Sequence, residues 1–216
     1  AVTQSLAQQV VRLSKPEEPA KVDTSESQWA TVAALTAPKT GGKLEGTRWT
    51  LAPSDNNALS AADGRSAAIL RAALSQLGIW EGGGDADQRA IAAYWKSAVE
   101  AGGIPPVAKN DPIYGLWGGP FLAWAVVQAG AKPPSAAAAF RSWLNWGTEI
   151  SPLKAKPGMI AIVDTGQHQL PARSGLMVGV LLGQRADCVE MVVGNIADRV
   201  VVTCVHGQVL SFRSPD

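Results

Sequence analysis

Few side chains in this sequence of 216 residues are equipped for chemistry, so their types and spacing decide what reactions are open to it. The nucleophiles and bases of most interest are two cysteines, Cys188 and Cys204, and two histidines, His168 and His206. A cysteine reacts as its thiolate, which needs a helix N-terminus, a base or a metal beside it. Both cysteines instead stand in apolar strand contexts, ADCVEMVV and VVVTCVHG, where the expectation is a small buried hydrophobe. Cys204 and His206 are two apart, so on a strand they share a face, and a Cys–His pair is the alternative there. His168 sits in the polar stretch TGQHQLPARSG and reads as a solvated loop residue. Asp164 is placed to orient it, but no nucleophile accompanies the pair. No Cys or His pairing has zinc spacing, so no metal and no cofactor is expected. Two cysteines allow at most one disulfide, and the sequence leaves their redox state open. The run GGGD at 82–85 lacks the G-x-x-x-x-G-K-[ST] spacing and follows no strand, so it reads as a flexible loop.

Composition removes several classes of function. Hydrophobic residues make up 46% of the chain and charged residues 17%, which excludes an intrinsically disordered protein. Nineteen basic and eighteen acidic side chains leave a net charge of +1, without the basic surplus or stripe of a nucleic-acid binder. No apolar run approaches the roughly 18 residues of a membrane span. The longest, Gly175 to Gly183, reads as a buried strand.

The elements that must position any site follow from periodicity. Residues 1–64 hold few large apolar side chains and read as an extended arm with two short helices, Gln4 to Leu13 and Ser25 to Leu35. KPEEPAK and APKTGGK within it are linker-like, so the arm should take its order from contacts with other surfaces. From 65 to 216 the pattern is that of a folded domain. Helices are expected over Arg65 to Leu77, from Asp85 (with Gln88 as a capping box) to Gly102-Gly103, and over Pro120 to Ala129. A fourth, Ala-rich helix is expected from Ser135 through Leu144. Strands follow at Met159–Val163, Met177–Leu182, Val189–Val193, Arg199–Val205 and Gln208–Phe212. Helices first and strands second predict an α+β fold with a roughly five-stranded antiparallel sheet.

The blocks NDPIYGLWGGPFLAWAVVQAG, FRSWLNWG, PGMIAIV, LMVGVLLG and VVGNIADRV, in that order, resemble the NlpC-type and CHAP-type papain-like cysteine peptidases. Those enzymes cleave peptidoglycan stem peptides or amide links. The resemblance covers about residues 65–215 and implies a papain-like fold with its helices packed on the sheet. It also implies where a catalytic triad would stand. The family's nucleophilic cysteine follows a tryptophan at the start of a helix, and here Trp117 is followed by Gly118. The family's histidine falls on Met177, or on Leu176 if the alignment shifts by one, and neither accepts a proton. Asn195 matches the polar residue that orients the imidazole. The triad positions are therefore degenerate, and no catalytic residue is expected.

Eight tryptophans outnumber the phenylalanines and tyrosines combined. Trp95, Trp124 and Trp143 lie on apolar helix faces and read as core. Trp117 and Trp146, with Asn195, are candidates to line a binding groove. Trp29 and Trp49, in the arm, are candidates to dock into a partner's pocket. The resemblance as a whole implies a catalytically inactive domain that serves as a structural or assembly component. Its partners would be protein subunits of a larger particle, contacted through residues 1–64, in a phage tail or virion. The alternatives are a peptidoglycan-binding pseudoenzyme in the bacterial cell envelope, or a hydrolase using a displaced nucleophile such as Cys204.

Overall fold

Apolar side chains at helical and then at alternating spacing build two layers, helices on one side and a sheet on the other. The computed structural model describes residues 44–45, 48–49, 53–103, 116–166 and 175–216, with side chains from residue 57 onward, all within one unit, Thr36–Asp216. The expected helices Gln4 to Leu13 and Ser25 to Leu35 lie outside the described residues, as do Trp29 and His168.

Among the described residues, two two-residue strands come first, β1 (Leu44–Glu45) and β2 (Arg48–Trp49), paired antiparallel. Helix α1 (Pro53–Ala61) follows, and its Ala58 belongs to the main core, so that core reaches back beyond the break in composition at residue 64. Helix α2 (Gly64–Leu74) turns Ile69, Leu70, Ala73 and Leu74 inward. It ends three residues before Leu77, and Gly78 at φ +86° carries the chain to the sheet, donating its N–H to Val200 at 3.0 Å.

Helix α3 (Asp85–Glu100) buries Ile91, Tyr94, Trp95 and Ala98. The expected capping box does not form. Gly84 is the N-cap, and the Gln88 amide is drawn off to the Glu81 carbonyl. Helix α4 (Gly118–Gln128) is buried from Gly118 through Ala123, starting two residues ahead of Pro120. The expected Ala-rich fourth helix is corrected to an irregular turn and a 3-10 segment, Phe140–Asn145. Ala136 sits at φ +60°, which breaks the helical path, and the carbonyls of Ala137 and Ala138 turn onto α4 instead of into a helix ladder.

The sheet has six antiparallel strands where five were expected. These are β3 (Thr148–Ile150), β4 (Ile160–Asp164), β5 (Leu176–Gln184), β6 (Val189–Ile196), β7 (Arg199–Val205) and β8 (Gln208–Ser214). Their order is β3-β8-β4-β5-β6-β7. The added edge strand, β3, is only three residues long, largely exposed and without an alternating apolar pattern, and it is a strand through its pairing with Phe212 to Ser214.

Both faces of the sheet are apolar. Ile160, Ile162, Val178, Val180, Leu182, Val192 and Val200 pack toward the helices, joined by Leu70, Tyr94, Trp117, Phe121 and Trp143. The alternate residues Ala161, Val163, Leu181, Met191, Val193, Val205 and Phe212 form a second core on the opposite face. Residues from the two ends of the strand order, Ile150 of β3 and Val205 of β7, belong to that second core. The sheet therefore curls around it, as right-handed strand twist encourages.

Candidate functional site

At Gly118, where the family resemblance would put a nucleophile, a side chain would meet backbone and an aromatic ring. Gly118 opens α4 and is buried. A Cβ built there would lie 2.9 Å from the Gly194 carbonyl oxygen and 3.1 Å from the Phe140 ring. At Gly119 a Cβ would lie 2.5 Å from the Ala138 carbonyl and 2.6 Å from that of Ala137. Gly194 is tight in return, since its own Cβ would come within 2.7 Å of Phe121. The two glycines of WGGPF and the glycine of VVGN are thus where helix α4, the following turn and the end of β6 approach closely. Only residues without a side chain permit that approach.

The bulge at the end of β6 completes this contact. Register shifts between Val193 and Ile196, and Asn195, within the shift, takes φ +65°. Asparagine is among the residues that tolerate the left-handed region, so the type suits the bulge irrespective of any imidazole. Ala197 and Asp198 follow at φ +48° and +59°, forming the tight connection into β7. Gly118 and the Gly194-Asn195 pair are therefore neighbours.

Met177 is not brought to them. It pairs with Val163 and packs with the second core, on the sheet face away from α4. Leu176, by alternation with Val178 and Val180, faces the helix layer and is buried. The two positions considered for a base thus fall on opposite faces, and neither carries a titratable group.

The tryptophans expected to line a groove are corrected to core positions. Trp117 is fully buried, and its indole N–H donates to the Glu81 carboxylate at 2.8 Å. Its ring centroid lies 5.9 Å from that of Tyr94. Trp146 is 7% exposed, packs edge-on against Trp143, and donates to the Lys132 carbonyl at 2.8 Å. The family resemblance suggested a groove. In the fold, hydrogen-bonded burial uses both rings. Trp49 lies in β2, and its side chain falls outside the described set.

The cysteines depart from the expectation of two inert buried thiols. Cys188 and Cys204 form a disulfide between the residue preceding β6 and the strand β7, with Cα atoms 5.6 Å apart. That separation is ordinary for a disulfide. Cys188 is buried, whereas Cys204 is exposed. A sulfur held in a disulfide is no thiolate, so Cys204 and His206 do not make a nucleophile–base pair. His206 turns instead to the Asp187 carbonyl, 3.0 Å from Nδ1.

A polar knot that sequence reading missed surrounds the GGGD loop. Glu81 accepts from Trp117 through its side chain and from Gln88 through its carbonyl, and donates its N–H to the Asp198 carbonyl at 2.9 Å. Asp87 accepts from the Trp80 N–H at 3.3 Å, and the Arg199 guanidinium stands 4.6 Å over the Trp80 ring. Tyr94 donates to Gln76 at 2.8 Å. Burial, and then the charge of Asp87, hold the Tyr94 phenol well above its ordinary range. These contacts tie the helix layer to the β6–β7 turn. The loop reading of GGGD gave no hint of them, because Asp198 and Arg199 lie over a hundred residues away and the nearer partners meet only once the helices pack.

Among the described residues, no group of three or more His, Cys, Asp or Glu is placed to hold a metal ion. Among the same described residues, no helix is long and apolar enough to cross a membrane. No family model, no curated protein and no solved structure matches this chain.

Proposed function

We propose that this chain carries a non-catalytic domain of papain-like type that serves as a structural component of a larger assembly, in a phage tail or virion. The papain-like part of the reading rests on the resemblance of the sequence blocks. One observation carries the loss of catalysis, namely that the place of a nucleophile at Gly118 is filled by the Gly194 carbonyl and the Phe140 ring. A site under selection for a thiolate keeps room for sulfur, a substrate carbonyl and water. Here the same volume is used for packing.

Burial of Trp117 and Trp146 speaks against a retained sugar- or peptide-stacking groove. The disulfide speaks against Cys204 as a displaced nucleophile. Contact with other subunits is assigned to residues 1–64, with Trp29 and Trp49 as the anchors. The test is to incubate the full chain with purified peptidoglycan sacculi, then measure both released muropeptides and the fraction of protein that sediments with them. The structural reading expects neither release nor sedimentation. Sedimentation without release would replace it with a peptidoglycan-binding pseudoenzyme, and release with a hydrolase.

A further inference from the structure

The two edges of the sheet are built differently. Edge strand β3 is three residues long, carries the exposed Glu149, and is followed at once by Ser151-Pro152. Shortness, charge and proline are the usual protections against unwanted strand pairing. Edge strand β7 has none of them along Val200-Val201-Val202-Thr203-Cys204-Val205, which is uncharged, mostly β-branched and free of proline.

Part of the β7 edge is already paired within the chain. Val200 donates to the Ile79 carbonyl at 3.0 Å and accepts from Gly78 at 3.0 Å, and Trp80 bridges to Arg199. The backbone groups of Val200 therefore point outward, away from β6. By strand alternation those of Val202 and Cys204 point the same way. Among the described residues no backbone partner meets them, since the added pairing stops at Gly78.

We propose that the outer edge of β7 binds a second copy of this chain by antiparallel strand addition, forming a two-fold dimer centred on Thr203. The geometry is self-complementary. With Thr203 opposite Thr203 of the second copy, Val202 of each chain faces Cys204 of the other, and both pairs are hydrogen-bonding positions. Four backbone hydrogen bonds form, and the same patch serves both partners, as a two-fold interface requires. Charge is complementary in this register. The Arg199 end of one strand comes beside the Asp187–His206 end of the other, where the Asp187 side chain is 76% exposed. No like charges meet between Val200 and Val205. The intrachain pairing at Gly78–Trp80 limits the addition to this short stretch and so fixes its register.

The experiment uses the full chain in sedimentation equilibrium across micromolar concentrations. The wild type should approach twice the 22.5 kDa mass of one chain. Thr203→Lys and Thr203→Glu, each confirmed folded by a thermal melt, should sediment as monomers, because like charges then stand directly opposite. Mixing the two variants should restore the dimer. In case either charged variant fails to fold, Thr203→Cys gives an independent readout. Non-hydrogen-bonded antiparallel pairs have Cα atoms about 4.5 Å apart, within disulfide range, so mild oxidation should cross-link two chains through position 203. A monomeric wild type, dimers that persist in both charged variants, or no cross-link at position 203 would each overturn the proposal.

Discussion

Gly118 and Gly194 meet so closely that a Cβ on the first would stand 2.9 Å from the carbonyl oxygen of the second. Real Cβ atoms do not approach an oxygen that closely, so any side chain at 118 must push the β6 bulge or the Phe140 ring aside. Gly118→Ala should therefore destabilise the fold by ~1–3 kcal/mol, the usual cost of overpacking. Alanine's better helix propensity works in the other direction but is worth at most about 1 kcal/mol. The melting temperature should fall by several degrees; an unchanged or raised value would show that the contact is loose.

Restoring a dyad by Gly118→Cys with Met177→His should fail on geometry. Met177 packs in the second core, across the sheet from α4. The imidazole would replace a partly buried apolar side chain on the wrong face and leave the thiol without a base. The double variant should melt below either single variant and show no turnover of a stem-peptide substrate. Turnover by the double variant alone would mean that the two positions do meet.

The disulfide Cys188–Cys204 closes a loop with a sequence separation of 16, which spans the β6–β7 hairpin. A loop of about that size is worth ~3 kcal/mol through the unfolded chain. The oxidised protein, unfolded without reductant, should show no free thiol. Cys188→Ala with Cys204→Ala, or reduction, should lower the melting temperature. Two titratable thiols in the untreated protein would contradict the pairing.

Much of this architecture was legible in the sequence, and the exceptions share a cause. Arg199–Val205 is a strand over the residues that alternation indicates, and Asp85 does open a helix. The Ala-rich run 136–139 misled because helix propensity is a weak prior. Packing of its carbonyls on Gly119 decides the local path. The disulfide was not readable because Cys188 and Cys204 meet only through the register of β6 on β7. Trp117 and Trp146 looked like groove residues by position, but their partners Glu81 and Lys132 come from distant segments. In each case the missing information was a long-range contact.

Trp117 depends on Glu81 for its indole hydrogen bond. Glu81→Ala leaves that buried N–H without an acceptor, which should cost ~1–3 kcal/mol. Glu81→Gln keeps an acceptor and should cost clearly less. Urea denaturation of the pair checks this, and equal losses would show that the bond is unimportant.

Tyr94 supplies a pH dependence. Its phenol is held above its ordinary pKa by burial and by Asp87, so the native state favours the protonated form. That stability is fully present below the unfolded value of about 10 and is lost as pH rises above it. Tyr94→Phe should flatten the alkaline fall in stability while costing the bond to Gln76 at all pH values. An identical alkaline slope in the variant would count against this assignment.

The proposed absence of catalysis rests on the packing at Gly118. It is tested most directly by muropeptide release from purified sacculi by the full chain, with and without reductant, beside a buffer control. No release above the control is expected in either condition. Release that cysteine alkylation abolishes would contradict it, and would mean that a thiol of this chain is a working nucleophile.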